Sequence, residues 1–205
     1  MSFEKKKIGI FGGSFSPPHC GHLGAAKAFL KELSLDSLFV IPAGIPPHKT
    51  LKGDATTEQR VEMCRLTFGD LPDTEILTME IERGGKSYTA DTLRALSSPE
   101  RELFLLVGTD MFLTLDEWYH PEEIFSLSTV VLMRREGEAA LSEKISEKKS
   151  EYEKKYGARL LFLKAPIVQI SSEFIRGRIA KREEIAAHVV PKVEEYIKQW
   201  QLYKA

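Results

Sequence analysis

Disulfide chemistry is nearly absent: the 205-residue chain has two cysteines, Cys20 and Cys64. Two cannot build a disulfide framework, and such usage suits a reducing cytosol. Charge imbalance is also missing. Lys and Arg number 29 against 30 for Asp and Glu, a formal net charge of −1. No global basic field draws the chain to nucleic acid or to an anionic membrane, so neither is expected as a partner. No apolar run approaches the length of a membrane span. The opening MSFEKKKIGIFGG joins a basic cluster to a short apolar run ended by glycines, unlike a signal peptide. A cytoplasmic protein is therefore expected. Internal repeats, low-complexity tracts and interdomain linkers are lacking too. Residues 1–205 read as one domain, with a C-terminal helical portion from about residue 171.

What the chain does have is the means to bury a core, with 42% apolar residues and a length that suits one generous domain. KIGIF (Lys7–Phe11) is a short apolar run that predicts a buried first strand. A helix follows, because Leu23, Ala26, Phe29, Leu30 and Leu33 recur at helical spacing. Strands are expected at Ser37–Pro42, Thr74–Ile81, Glu102–Asp110, Ser128–Arg134 and Arg159–Leu163, and helices around Thr57–Thr67, over Tyr88–Leu96 and from about Pro191. Residues Ala139–Tyr156 are highly charged, with Leu141, Ile145, Tyr152 and Tyr156 on one stripe, and read as a solvated helix lying on the surface. Alternating strands and helices imply an α/β fold, a Rossmann-like doubly wound parallel sheet with right-handed crossovers.

In such a sheet ligands sit at the carboxyl ends of the strands, where the strand order reverses. Four polar clusters follow predicted strands: Gly12–His22, Ala43–Lys49, Gly108–Asp110 and Ser171–Arg176. Their convergence on one edge is the physical argument for a single site.

The first cluster, FGGSFSPPHCGH (Phe11–His22), fits none of the common nucleotide or nucleophile templates. It contains no G-x-G-x-x-G, no P-loop, and no G-x-S-x-G around Ser14. Pro17 and Pro18 stiffen the loop, and Gly21 removes a side chain where the helix begins. His19 and His22 stand three apart and project to the same side of a helical turn. With the free N–H groups and positive dipole end of that helix, they suit an anion. Zinc would need third and fourth ligands at recognisable spacing, and Cys64, His48 and His120 do not supply them.

GGSFSPPHCGHL resembles the (H/T)-x-G-H signature of the nucleotidylyltransferase superfamily, here His19-Cys20-Gly21-His22. GIPPHK (Gly44–Lys49), SYTADTL (Ser87–Leu93), VGTDMFLTLDEW (Val107–Trp118) and ISSEFIRGRI (Ile170–Ile179) resemble, in order, the motifs of the bacterial nicotinate-mononucleotide adenylyltransferases. The resemblance implies adenylyl transfer from ATP to nicotinate mononucleotide, giving deamido-NAD and pyrophosphate in NAD biosynthesis. The attacking phosphate oxygen is already ionised, so positioning and charge stabilisation at the α-phosphorus are needed rather than a general base.

The resemblance also implies residue roles. His19 and His22 would meet the ATP phosphates, with Arg176 as a third catalytic group, while Gly12, Gly13, Ser14 and Phe15 let the nucleotide approach. Lys49 would add a point charge; taken alone it is an exposed loop lysine. Ser171 and Ser172 would cap a helix at the triphosphate, and Gly108 and Asp110 would hold the adenosine part; Asp110 is equally a helix N-cap candidate. Mg2+ is expected with the phosphates, carried by ATP rather than by a protein site. At the other end the backbone N–H groups of Ser87, Tyr88 and Thr89 would receive the pyridine carboxylate, and Trp118 would stack on the ring. A core tryptophan is the competing reading of Trp118. Arg134 or Arg135 would assist the mononucleotide phosphate. A homo-oligomer is left open.

Three positions depart from the family pattern. Ser16 replaces the frequent Asp, Glu173 replaces the usual Thr, and Glu136 follows Arg135 in place of proline. An acceptor other than nicotinate mononucleotide stays open, namely nicotinamide mononucleotide or phosphopantetheine. So do a nucleotide-binding module without catalysis, for which Glu173 speaks, and a zinc hydrolase built on His19, Cys20 and His22.

Overall fold

The computed structural model describes residues 4–47, 55–133, 141–165, 168 and 170–204. In chain order they form β1 (Lys6–Gly13), α1 (Cys20–Leu33), β2 (Ser37–Pro42), α2 (Thr57–Phe68), β3 (Thr74–Ile76), α3 (Met79–Arg83) and α4 (Thr89–Leu96). There follow β4 (Arg101–Gly108), α5 (Thr109–Phe112), a 3-10 turn at Leu115–Glu117, α6 (Pro121–Leu127) and β5 (Ser128–Met133). The last elements are α7 (Ser142–Tyr156), β6 (Arg159–Phe162), α8 (Ser172–Ala180) and α9 (Pro191–Gln199).

The strands make one parallel sheet in the order β3-β2-β1-β4-β5-β6. This is the doubly wound order whose direction of growth reverses between β1 and β4. Ile10 pairs with Phe39 on one side and Leu105 on the other, so the switch point lies at the centre of the sheet.

Both faces of β4 are covered, which is why it reads as an unbroken apolar run. The two-residue strand period sends Leu103, Leu105 and Val107 into one core, with Leu93, Phe112, Phe125 and Tyr152, and sends Phe104 and Leu106 into the other, with Phe29, Val40 and Val131. A third, smaller cluster packs Ile175, Val189, Val193 and Ile197 of the C-terminal part against Met63 of α2.

The sequence-predicted elements are present among the described residues, with three differences. The strand expected over Glu102–Asp110 ends at Gly108, and Thr109 and Asp110 are helical. The strand expected over Thr74–Ile81 ends at Ile76, and Met79–Arg83 is helical. β3 pairs only with Leu38–Val40 of β2, and the Leu77 N–H donates to the Val40 carbonyl just beyond it. Beyond them Met79, Glu80 and Arg83 favour helix, and Gly84 and Gly85, at φ of 70° and 67°, end it. The charged α7 is more than a solvated surface helix. Ile145 and Tyr152 are buried on its inner stripe, and the Tyr152 hydroxyl donates to the Phe112 carbonyl at 2.8 Å. Among the described residues no helix is long and apolar enough to cross a membrane.

Candidate active site

A cavity of about 460 Å³ opens at the carboxyl ends of β1 and β4, where the strand order reverses. Gly12, Gly13 and Ser14 line one part of it, Ser87, Tyr88 and Thr89 another, and Asp110 and Trp118 a third. These eight residues, spread over more than a hundred positions of sequence, were each singled out from motifs, and the sheet topology brings them together. A side chain at Gly12 would meet no atom within 4 Å, so its bare backbone faces open space. At Gly13 a Cβ would lie 2.9 Å from the Phe15 ring, so glycine there permits a close approach.

Phe15 itself is 2% exposed and its backbone is left-handed, with φ 46°. Its ring packs on Phe11, Phe68 and His22, with centroids at 5.4, 5.8 and 5.1 Å. The side chain therefore belongs to the core, leaving only the backbone of this residue for a ligand.

His19 and His22 stand at the start of α1 and are not among the residues that line the cavity. His19 is the N-cap, and the two residues cap each other: the His22 N–H donates to His19 Nδ1 at 3.3 Å, and the His19 N–H to His22 Nδ1 at 3.2 Å. Each imidazole thus does what Ser and Glu do in the usual capping box. The rings stack at 3.6 Å. Because both Nδ1 atoms accept, each ring carries its proton on Nε2, which is then its donor. Cys20 between them has its thiol pushed up by burial, which disfavours a thiolate.

The ISSEFIRGRI segment docks onto the same loop. Ser171 caps α8, accepting from the Phe174 N–H at 3.1 Å; Ser172 donates to the Pro17 carbonyl at 2.8 Å, and Arg176 to the Ser16 carbonyl at 2.6 Å. The Ser16 hydroxyl, where the family often has Asp, pairs with the Tyr203 hydroxyl at 3.2 Å. Glu173 is exposed in the first turn of α8, where the helix dipole favours a carboxylate. Lys49, Arg134 and Arg135 lie outside the described residues.

At the opposite end the structure sharpens three expectations. The Ser87 N–H already donates to the Ile45 carbonyl at 2.9 Å and the Tyr88 N–H to the Lys86 carbonyl at 3.1 Å. Anion-receiving donors therefore begin at Thr89, the first residue of α4, which no side chain caps. Asp110 is not an N-cap: Gly108 holds that position before α5, and Asp110 is exposed in the first turn on the cavity wall. Trp118 packs against the core and also lines the cavity.

Sequence reasoning missed three residues. Arg60 is 1% exposed. Its guanidinium donates to the Ser14 carbonyl at 2.8 Å and the Ala43 carbonyl at 2.7 Å, tying the loop after β1 to the loop after β2. Burial disfavours its charge, and its Nε has no hydrogen-bond partner. The available signal was its place on the buried stripe of α2 with Met63, Cys64 and Thr67. Tyr152 also donates to Asp116 at 2.9 Å, and Lys148 reaches the same carboxylate at 2.9 Å. Burial opposes ionisation of Asp116, but these hydrogen bonds outweigh it and hold its carboxyl below the usual range. Through Asp116, α7 fixes the 3-10 turn that leads into Trp118. Glu80, 7% exposed, lines the cavity beside Ser87 and accepts from the Thr92 hydroxyl at 2.7 Å. Burial pushes its carboxyl up.

The cytidylyltransferase-like family pattern matches residues 10–178. A Clostridium botulinum protein named "probable nicotinate-nucleotide adenylyltransferase" is 38% identical over 200 residues, covering 97% of this chain and 98% of its own length. One from Listeria monocytogenes with the same name is 35% identical over 201 residues, covering 97% and 98%. The structure of the Plasmodium falciparum nicotinic acid mononucleotide adenylyltransferase complexed with NaAD superposes with a TM-score of 0.77, at 19% identity, over 97% of each chain. That likeness bears on the fold.

Proposed function

The chain belongs to the cytidylyltransferase-like family and, within it, to the nicotinate-nucleotide adenylyltransferases, and on that premise we propose the part each residue of its cavity plays. Its reaction joins nicotinate mononucleotide to the adenylyl group of ATP, giving deamido-NAD and releasing pyrophosphate. The observation that carries the assignment of roles is the single cavity that has Gly12–Ser14 at one side and Ser87–Thr89 with Trp118 at another.

A phosphate oxygen of the mononucleotide attacks the α-phosphorus as the bond to pyrophosphate breaks. No proton must be removed, so the protein's task is to align two anions and spread the developing charge. Gly12, Gly13 and Ser14 take the nucleotide against their backbone. The Nε2–H groups of His19 and His22 donate to phosphate oxygens, their tautomers set in advance by the mutual cap. Arg176 keeps donors beyond the one used on Ser16 and, with Lys49, Ser171 and Ser172, meets the triphosphate. Gly12–His22 offers N–H donors and no carboxylate, so it fits a triphosphate that arrives already chelated. Mg2+ enters as part of the nucleotide substrate and lowers the charge on the pyrophosphate leaving group. Asp110 and Gly108 hold the adenosine part. Trp118 offers its face to the pyridine ring, the first turn of α4 receives the ring carboxylate, and Arg134 or Arg135 meets the mononucleotide phosphate.

The test is turnover with ATP and Mg2+ against three acceptors: nicotinate mononucleotide, nicotinamide mononucleotide and phosphopantetheine. Pyrophosphate release fastest with the acid is the expected result. Turnover with phosphopantetheine alone, or none with either pyridine nucleotide, would sink the assignment.

A further inference from the structure

The cavity wall that meets the pyridine end contains a carboxyl group that the reaction does not use. Glu80 reaches it from α3 and is bonded on two sides, by the Thr92 hydroxyl of α4 at 2.7 Å and by the Ser87 hydroxyl. Ser87 in turn accepts from the Gly44 N–H at 2.9 Å. The backbone is closed tightly around this point, since a Cβ at Gly44 would stand 3.3 Å from the Glu80 carbonyl. Glu80 as a whole is only 7% exposed, so its carboxyl is largely desolvated.

Among the described residues, the charged groups around it do not cancel a second negative charge. Arg83, on the same helix, is exposed and directs one nitrogen to the Thr92 hydroxyl at 3.3 Å. Arg60 lies behind Gly44 and is committed to backbone carbonyls. Among the described residues that line the cavity, the other titratable groups are Asp110 and Glu117, both acidic, with Tyr88 and Tyr119. A ring carboxylate placed on the first turn of α4 enters this wall as one more anion, next to a desolvated one. Two carboxylates sharing such a site do not both stay ionised.

We propose that Glu80 is a specificity residue that couples binding of the acidic mononucleotide to uptake of a proton, making the preference for acid over amide depend on pH. The inference rests on the pyridine-end reading given above. Burial already raises Glu80, which shortens the step to the neutral form. Once protonated, the carboxyl no longer repels the ring carboxylate and can donate a hydrogen bond. The amide carries no charge at that position and needs no proton. The two ligands share the same phosphate, so its titration cancels when they are compared.

Binding of nicotinate mononucleotide and nicotinamide mononucleotide is measured by titration calorimetry from pH 7 to 9, in buffers of different ionisation enthalpy. The acid is expected to bind with uptake of up to about one proton, its affinity falling by as much as about tenfold per pH unit relative to the amide. Glu80→Gln keeps the shape and removes the titration, so its acid and amide slopes become equal and the extra uptake disappears. Equal slopes for both ligands in the wild type, or an unchanged slope in Glu80→Gln, would overturn the inference alone. Failure of both mononucleotides to bind would overturn the functional reading and the inference with it.

Discussion

At the proposed phosphate end most of the donors come from one unbroken stretch, Gly12 to His22, where a strand gives way to a helix and the helix start is capped by its own histidines, with the α8 segment added to it. At the pyridine end no stretch suffices. Glu80 comes from α3, Ser87 and Thr89 from the approach to α4, Trp118 from the turn after α5, and the brace on that turn from α7. The difference follows from what each end must recognise. A phosphate is an anion in every nucleotide, and a local nest of N–H groups serves it. Telling a carboxylate from an amide demands control of charge and solvent from several directions, which only tertiary structure supplies.

The comparison is tested most severely at His22. If the phosphate end acts as a preformed donor set, His22→Ala removes one transition-state donor and lowers kcat by about 10²–10³-fold with modest change in either KM. An unchanged kcat would take the imidazole out of the mechanism. Arg60 tests whether the two ends are separable at all, because it holds Ser14 on one side and Ala43 and Gly44, which lead to Ser87, on the other. Arg60→Met leaves those carbonyls without their donor, and stability measured by urea unfolding should fall by about 2–4 kcal/mol. The KM values for both substrates should rise. A rise for ATP alone would show that the ends are built independently.

How much of this was legible in the sequence follows the same division. The sheet was legible because β1, β2, β4 and β5 carry continuous apolar runs bounded by glycine, proline or a change of period. His19, His22 and Gly12 to Ser14 were legible because their geometry is local. Arg60, Glu80 and Tyr152 were not, since their meaning lies in partners 46, 12 and 36 residues away, respectively Ser14, Thr92 and Asp116. Met79–Ile81 misled because alternating apolar residues in ILTMEI suit a strand as well as the helix the structure has there. The use of the Ser87 N–H by Ile45 was likewise invisible, being a contact between two loops.

Tyr152→Phe probes the pyridine end from outside it. The hydroxyl reaches Phe112 and Asp116 but not the cavity wall, so its loss acts through the placement of Trp118. Losing these bonds costs about 1 kcal/mol. Given tenfold for each 1.4 kcal/mol, that predicts a KM for nicotinate mononucleotide raised by up to about fivefold, with the KM for ATP unchanged. Equal shifts in both constants would mean that α7 supports the whole fold and has no particular bearing on the ring.

The smallest effect separates the two carboxyl groups that flank this end, since their environments push them in opposite directions. Asp116 is held below its ordinary value, with burial opposing and the Lys148 and Tyr152 hydrogen bonds prevailing. Its stabilising contribution is complete above the unfolded value of about 3.9 and is lost as pH falls through the lower folded value. Glu80 is raised by burial, so its contribution is complete below the unfolded value of about 4.3 and is lost as pH rises through the higher folded one. Melting temperatures of Asp116→Asn and Glu80→Gln, each compared with wild type from pH 3 to 8, should therefore diverge. The deficit of Asp116→Asn shrinks toward acid, whereas Glu80→Gln gains on wild type toward neutrality. Parallel curves for the two variants would remove the electrostatic contrast between the brace behind Trp118 and the carboxyl beside Ser87, and with it the reason for expecting pH to act at one end of the cavity more than at the other.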